Sequence, residues 1–174
     1  MNTVKKLVID SQKGDKKAFA QLYSMYQSEL YKFAYYYLGN REDAQDAVQD
    51  AVISAFQSIP KLKNEDAFKS WLFKILSNCC NRHISEVIRH RELIEISEDI
   101  TGAHCDKMSD AFSLWQEIRS LDSEERSIVL LCIIAGYKSR EVSQILSIPA
   151  GTVRSKLSRA LAKLRNNLDK EEYV

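Results

Sequence analysis

The sequence predicts an all-α protein: two small helical domains joined by a flexible linker, the second containing a helix-turn-helix. Three observations carry this. Gly (5) and Pro (2) are scarce among the 174 residues, too few to punctuate a protein built of strands and tight turns. Apolar residues recur every three or four positions along most of the chain, the period of an amphipathic helix. That period fades over RELIEISEDITGAHCDKMSD, residues 91–110, an acidic stretch containing Thr101-Gly102. The expected boundaries are a first domain at 1–91, an acidic linker at 92–110 and a second domain at 111–174.

The elements follow in order. Residues 3–12 form a short helix that stops at Gly14, and Asp15 is an N-cap for the next. Phe19, Leu22, Tyr23, Tyr26, Leu30, Phe33 and Tyr37 hold helical spacing up to Leu38, where Gly39 is a C′ stop. The aromatic stripe is read as core. Asn40 caps a third helix whose first turn holds Glu42 and Asp43, favourable charges at a helix N-terminus. Ala44, Ala47, Val48, Ala51, Val52, Ala55, Phe56 and Ile59 line its apolar side. Asp43, Asp46, Gln49 and Asp50 form a separate acidic face. Ile59-Pro60 ends this helix, and a loop leads to a long helix from about Asp66 toward His90. Trp71, Leu72, Ile75, Leu76 and Cys79 are its buried side; Lys69, Lys74, Asn78 and Arg82 make a polar, largely basic strip.

After the linker, Phe112, Leu114, Trp115, Ile118 and Leu121 restart the helical period. Asp122 or Ser123 caps a helix with Glu124 and Glu125 in its first turn, Ile128–Ala135 as its buried body and Gly136 as its stop. Val142, Ile145 and Leu146 then define one short amphipathic pattern. Ile148-Pro149-Ala150-Gly151 interrupts it. A second pattern starts near Thr152, with Val153, Leu157, Leu161, Leu164 and Leu168 on one face and Arg154, Ser155, Ser158, Arg159 and Arg165 on the other. Two helices about such a joint form a helix-turn-helix, whose second helix enters the DNA major groove. Residues 138–168 hold seven Lys or Arg and one Glu. These side chains pair with guanine edges and phosphates.

A net charge of +1 hides this segregation. Residues 61–91 are basic, 92–125 hold ten acidic and two basic residues, and 138–168 are basic again; blocks of one sign mark partner surfaces or solvated linkers. Leu7-Val8-Ile9 is too short for a signal peptide core, and the apolar run Ile128–Ala135 is far below the roughly 18–20 residues that span a membrane. A cytoplasmic protein with reduced thiols and no membrane insertion of its own is expected. Zinc ligation by Cys79, Cys80, His83, His104 and Cys105 fits no CxxC-type spacing, so no metal or cofactor is expected. The carboxylates of 42–50 lack a His or Cys partner, and the chain has no Gly-rich phosphate loop, so a docking surface is preferred to a catalytic site.

Taken together, these stretches resemble the extracytoplasmic-function (ECF) sigma factors of bacterial RNA polymerase. GDKKAFAQLY, LGNREDAQDAVQDAVISAF and AFKSWLFKILSN look like sigma region 2. LDSEERSIVLL, GYKSREVSQIL and IPAGTVRSKLSRALAKLR look like sigma region 4. Each piece is a moderate signal; six in this order and spacing are specific.

The resemblance implies roles. The acidic face of Asp43, Asp46, Gln49 and Asp50, with Phe56 packing behind it, would dock on the β′ clamp helices of core RNA polymerase, and the polymerase β subunit is a further expected contact. The promoter −10 element would be read as a single strand with one flipped base, by the loop 62–68 and the following helix: Lys63, Asn64, Phe68, Lys74, Asn78 and Arg82. Asn78 matches the family's helix asparagine, whose amide can both donate and accept at a base edge. Arg154, Ser155, Ser158 and Arg159 match the recognition positions for the duplex −35 element, with Lys156 on phosphate. The sequence departs from the family at Arg82, where an acidic residue or asparagine is frequent, and at Ser158, which is small. An anti-sigma factor is an expected partner, and the chain is expected to be no enzyme. The alternative reading is a stand-alone helix-turn-helix transcriptional regulator, which leaves the acidic helix and the basic strip without roles.

Overall fold

A computed structural model describes residues 3–94 and 116–171, and all regular structure among them is helical. The first domain comprises α1 (Thr3–Gln12), α2 (Lys16–Leu38), α3 (Arg41–Ser58) and α4 (Phe68–Ile94). Two single 3-10 turns, Ile59–Lys61 and Glu65–Ala67, connect α3 to α4. The second domain contains a helical segment over 116–120, then α5 (Ser123–Ile133), α6 (Ser139–Leu146) and α7 (Ala150–Glu171). The helix α4 runs three residues into the segment expected as linker; the rest of that linker, with Phe112, Leu114 and Trp115, lies outside the described residues.

The helix boundaries follow from local chemistry. The Asp15 carboxylate accepts from the amides of Lys17 and Ala18 at 2.8 and 3.2 Å, satisfying donors that have no partner within the helix. At the other end of α2, Gly39 takes φ 73° and donates its N–H to the Tyr35 carbonyl at 2.7 Å, a left-handed cap that side chains other than glycine adopt at a cost. Asn40 and Asp122 cap α3 and α5 through the amides of Glu42 and Glu125, at 2.8 and 2.7 Å.

The small residues Ala44, Ala47, Ala51 and Ala55 form the buried stripe of α3, leaving little bulk between it and its neighbours α2 and α4. Phe33 and Tyr37 of α2 and Phe73 of α4 fill the centre; Phe33 meets Phe73 edge-on at 5.7 Å between centroids, a favoured aromatic geometry.

The second domain is organised by a buried cation. Arg126 is 7% exposed. Its guanidinium donates to the carbonyls of Ile118 (3.3 Å), Arg119 (2.7 Å) and Leu121 (3.0 Å). These acceptors close the end of the preceding helical segment, where carbonyls lack partners within the helix. The other face of the guanidinium lies over the Tyr37 ring at 5.2 Å. Burial lowers the pKa of this group, and the three carbonyls offset part of that desolvation.

The two domains pack against each other, and their buried residues form one continuous cluster. Phe73 and Cys80 of α4, not anticipated as core, are 0% exposed. Phe73 is met edge-on from two sides, by Phe33 of α2 at 5.7 Å and by Tyr137 at 5.5 Å, and α4 packs against α2, α3 and α6. Burial raises the Cys79 and Cys80 thiols, which keeps them protonated and unreactive. Trp71 and Ile75, expected inside, are half-buried.

The joint of the helix-turn-helix differs from expectation in one detail. The second helix starts at Ala150, two residues early, so Ala150 and Gly151 belong to it. The left-handed residue is Ser147, with φ 59°. The turn is tied from both sides: Ile148 donates to the Ser143 carbonyl at 3.2 Å, and the Ser143 hydroxyl donates to the Ile148 carbonyl at 2.6 Å. Proline at 149 is tolerated because it precedes the first turn, and its carbonyl accepts from Val153 at 3.0 Å.

Candidate nucleic-acid interface

In α7, Val153, Ala160 and Leu164 are buried and Leu157 is half-buried. The buried face is thus 153, 157, 160 and 164, a regular four-three-four stripe. Leu161, expected on it, is 40% exposed, because it sits one position, about 100°, round from Ala160. Opposite that stripe, Arg154, Ser155, Ser158 and Arg159 are all exposed. They occupy the N-terminal turns, where a recognition helix meets base edges. Two other cations of α7 are already engaged. Lys156 pairs with Glu124 at 2.8 Å, and Lys163 with the 5%-exposed Glu125 at 2.8 Å. Both tie α7 to the first turn of α5, and the bond to Glu124 raises the Lys156 pKa.

The loop before α4 is held from beneath. Gln12 of α1 donates to the carbonyls of Ile59 (3.3 Å) and Leu62 (2.8 Å). Asn64 caps the turn Glu65–Ala67 by accepting from the Asp66 amide at 3.1 Å. Lys63 and Asn64 are exposed. Phe68 is not: at 1% exposure it lies in the core, its ring centroid 6.0 Å from that of Tyr26 and 5.9 Å from that of Trp71. A benzene ring in that position gains more from burial than from an exposed stacking role, so Phe68 anchors the loop and is not part of its surface. On α4, Asn78 and Arg82 are exposed and Lys69 and Lys74 half-buried. Asn78 lines a polar cavity of about 310 Å³ with Lys74, Asn81, Ser123 and Glu124.

On α3, Asp46 and Gln49 are exposed and Asp43 and Asp50 half-buried. Asp50 is bound to Arg82 of α4 at 2.7 Å, which links the acidic face to the basic strip. Phe56 is half-buried and meets Phe19 edge-on at 5.1 Å. Beside the acids an apolar groove opens between α2 and α3, lined by Tyr23, Val48, Val52 and Ile53 and continued by Phe19 and Phe56. Among the described residues no group of three or more His, Cys, Asp or Glu could hold a metal ion, and no helix is long and apolar enough to cross a membrane. His104 and Cys105 lie outside the described residues.

Comparison with known proteins decides the family. Sigma-70 region 2 matches residues 22–87, and sigma-70 region 4 matches residues 111–164. The chain belongs to the extracytoplasmic-function sigma factors of the sigma-70 family. It is 27% identical to the ECF RNA polymerase sigma factor SigW of Bacillus subtilis, over 95% of this chain and 96% of that one. Among solved structures the fold is similar to CnrH in complex with the cytosolic domain of CnrY, with a TM-score of 0.75, 23% identity and coverage of 97% and 99% of the two chains. It is likewise similar to the sigma factor RpoE in complex with the anti-sigma factor NepR from Bartonella quintana, with a TM-score of 0.70, 23% identity and coverage of 88% and 98%. The sigma factor acts as an alternative specificity subunit for promoter-directed transcription and is not itself an enzyme.

Asn81, Arg126 and Tyr137 were missed by sequence reasoning, and Tyr37 and Lys69, though placed on the core stripe and the basic strip, were not assigned their contacts with other elements. All act between elements distant in the chain, and periodicity carries no trace of those contacts. The nearest signal was Arg126, a lone cation directly after Glu124 and Glu125 at the head of an apolar run.

Proposed function

We propose that this sigma factor assigns its two promoter elements to two separate surfaces. The −35 duplex is read by Arg154, Ser155, Ser158 and Arg159. The −10 strand is read by Lys63 and Asn64 of the loop and by Lys74, Asn78 and Arg82 of α4. Core polymerase docks through its β′ clamp helices on Asp43, Asp46, Gln49 and Asp50, with its β subunit as a further contact. The groove beside Phe56 suits the apolar side of a docked helix. An anti-sigma factor is a fitting regulator, since RpoE is bound by one in the solved complex. The place of action is the cytoplasm.

One observation carries the reading: the first turns of α7 expose Arg154, Ser155, Ser158 and Arg159, while the same turns bury Val153 and half-bury Leu157 on the opposite side. A bidentate arginine–guanine pair discriminates by about 1–3 kcal/mol. Arg154→Ala is therefore expected to relax preference at one −35 position, read as promoter ranking in transcription with core polymerase. Lys156→Ala is expected to weaken all promoters alike and to lower the salt slope by about one phosphate's share, since Lys156 must exchange Glu124 for a phosphate. Identical rankings and identical salt slopes for the two variants would contradict these roles.

A further inference from the structure

The loop assigned above to the −10 strand is short, and two tethers from α1 bracket its exposed part. Its entry is fixed by Gln12, the last residue of α1. A carboxamide nitrogen carries two N–H donors, and Gln12 Nε2 donates to two acceptors, the Ile59 carbonyl at 3.3 Å and the Leu62 carbonyl at 2.8 Å. The Ile59 carbonyl also accepts from the Leu62 amide at 3.0 Å, so side chain and turn hold the same atoms. The exit is met by Lys5, whose ammonium lies 3.5 Å from the Asp66 carboxylate and 3.7 Å from that of Glu65. Between the tethers stand Lys63 and Asn64, both exposed. Asn64 also holds the backbone: its Oδ1 accepts from the Asp66 amide and its carbonyl from the Ala67 amide, both at 3.1 Å.

The brace is itself seated. Val8 of α1 is 0% exposed and Ser11 2%, and the Ser11 hydroxyl is satisfied within the helix by the Leu7 carbonyl at 2.6 Å. The two tethers are unequal. Lys5 makes exposed ion pairs, which contribute little, whereas Gln12 is half-buried and bonds main chain. Helix formation in α1 does not call for glutamine at this place, since its two acceptors lie 47 and 50 residues further on. The brace also comes from outside the stretch that matches sigma-70 region 2, residues 22–87.

We propose that Gln12 is a positioning residue for −10 recognition: it holds Lys63 and Asn64 in the arrangement that meets the unpaired strand, and so sets how sharply the −10 bases are discriminated. This role rests on the reading of the loop 62–68 as part of the −10 site. Gln12 touches no DNA; it acts through the turn from Ile59 to Leu62. A braced loop presents one arrangement to every base, and a base that does not fit it leaves polar groups unpaired. A loop released from the brace populates the competent arrangement only in part, and its affinity falls by that fraction. It also adapts to the wrong base, which narrows the gap between right and wrong.

Two substitutions test this on the full chain. Gln12→Leu keeps the bulk of the side chain and removes both donors. Gln12→Glu keeps its shape and sets a carboxylate against two carbonyls. In both, hydrogen exchange at the Leu62, Asp66 and Ala67 amides is expected to quicken by about fivefold or more. The functional readout is transcription with core polymerase from two pools of barcoded templates. Both pools are built on one promoter recovered from genomic fragments, the first randomised over the −10 segment and the second over the −35 segment. Both variants are expected to lose preference at the flipped −10 base by about fivefold, with −35 preference and core binding as in wild type. A residue that served stability alone would lower output from all templates alike and leave both rankings unchanged; that result would overturn the proposal. Faster exchange with unaltered −10 preference, or altered preference without faster exchange, would overturn it too. If thermal unfolding shows Gln12→Leu to be unfolded, Gln12→Glu decides. Asn64→Ala on the same pools separates the two ways of failing. If it alters the −10 ranking where the Gln12 variants do not, the −10 reading of the loop stands and the brace is refuted; if none of them alters it, both fall.

Discussion

The double variant Asp46→Lys with Asp50→Lys is expected to bind core RNA polymerase at least about 100-fold more weakly than wild type while keeping its helical content. Close charge pairs across a steered interface couple by about 1.5–7 kcal/mol each, so two reversals suffice for this loss, and both residues lie on the solvent side of α3. The two positions are not equivalent. Asp50 already binds Arg82 at 2.7 Å, and a group so engaged gives up part of its attraction to a partner. Among the described residues Asp46 has no such bond to α4. The single variant Asp46→Lys is therefore expected to account for the larger share. Exposed ion pairs within one chain contribute about 0–1 kcal/mol, so loss of the Asp50–Arg82 pair does not threaten the fold. Co-purification and competition against wild type for core polymerase give the readout; undiminished binding by the double variant would remove the assignment of this face.

The second large effect is expected at Asn78. Asn78 is exposed on α4, so Asn78→Ala opens no cavity in the core and leaves thermal stability close to wild type. Its amide offers both donors and an acceptor to the Watson–Crick edge of an extruded base. Loss of two such bonds, at about 0.5–1.5 kcal/mol each, predicts open-complex formation slower by about 10-fold, with duplex −35 binding and core binding unchanged. A premelted bubble removes the cost of unpairing but does not restore the missing contacts, so the variant is expected to recover only partly on bubble templates. Full activity on closed duplex promoters would make this asparagine a structural residue only.

Much of the fold was legible in the residues. Asp15, Gly39, Asn40 and Asp122 marked helix ends because capping is local chemistry, decided within three or four positions. The stripe of α3 was legible for the same reason. The second buried face of α4 was not, since Phe73 packs both on Phe33 of α2 and on Tyr137 from beyond the linker. Leu161 misled because the apolar stripe was traced through Val153 and the leucines, whereas Ala160 occupies the packed position. Phe68 was given a part in −10 reading by the family resemblance, yet its area drives it into the core beside Tyr26 and Trp71. The charged faces of α3 and α7 could be read as faces because helical spacing groups their residues. Which of those charges are engaged internally, as Lys156 is with Glu124 and Asp50 with Arg82, depends on packing that no periodicity encodes.

A sigma factor is defined by what it does for polymerase. Run-off transcription with core RNA polymerase, with and without the protein, on fragments of genomic DNA measures it. Discrete start sites that require the protein are expected, preceded by a shared pair of −35 and −10 motifs. Binding of the protein alone to duplex sites, with no new start sites from core polymerase, would contradict this role.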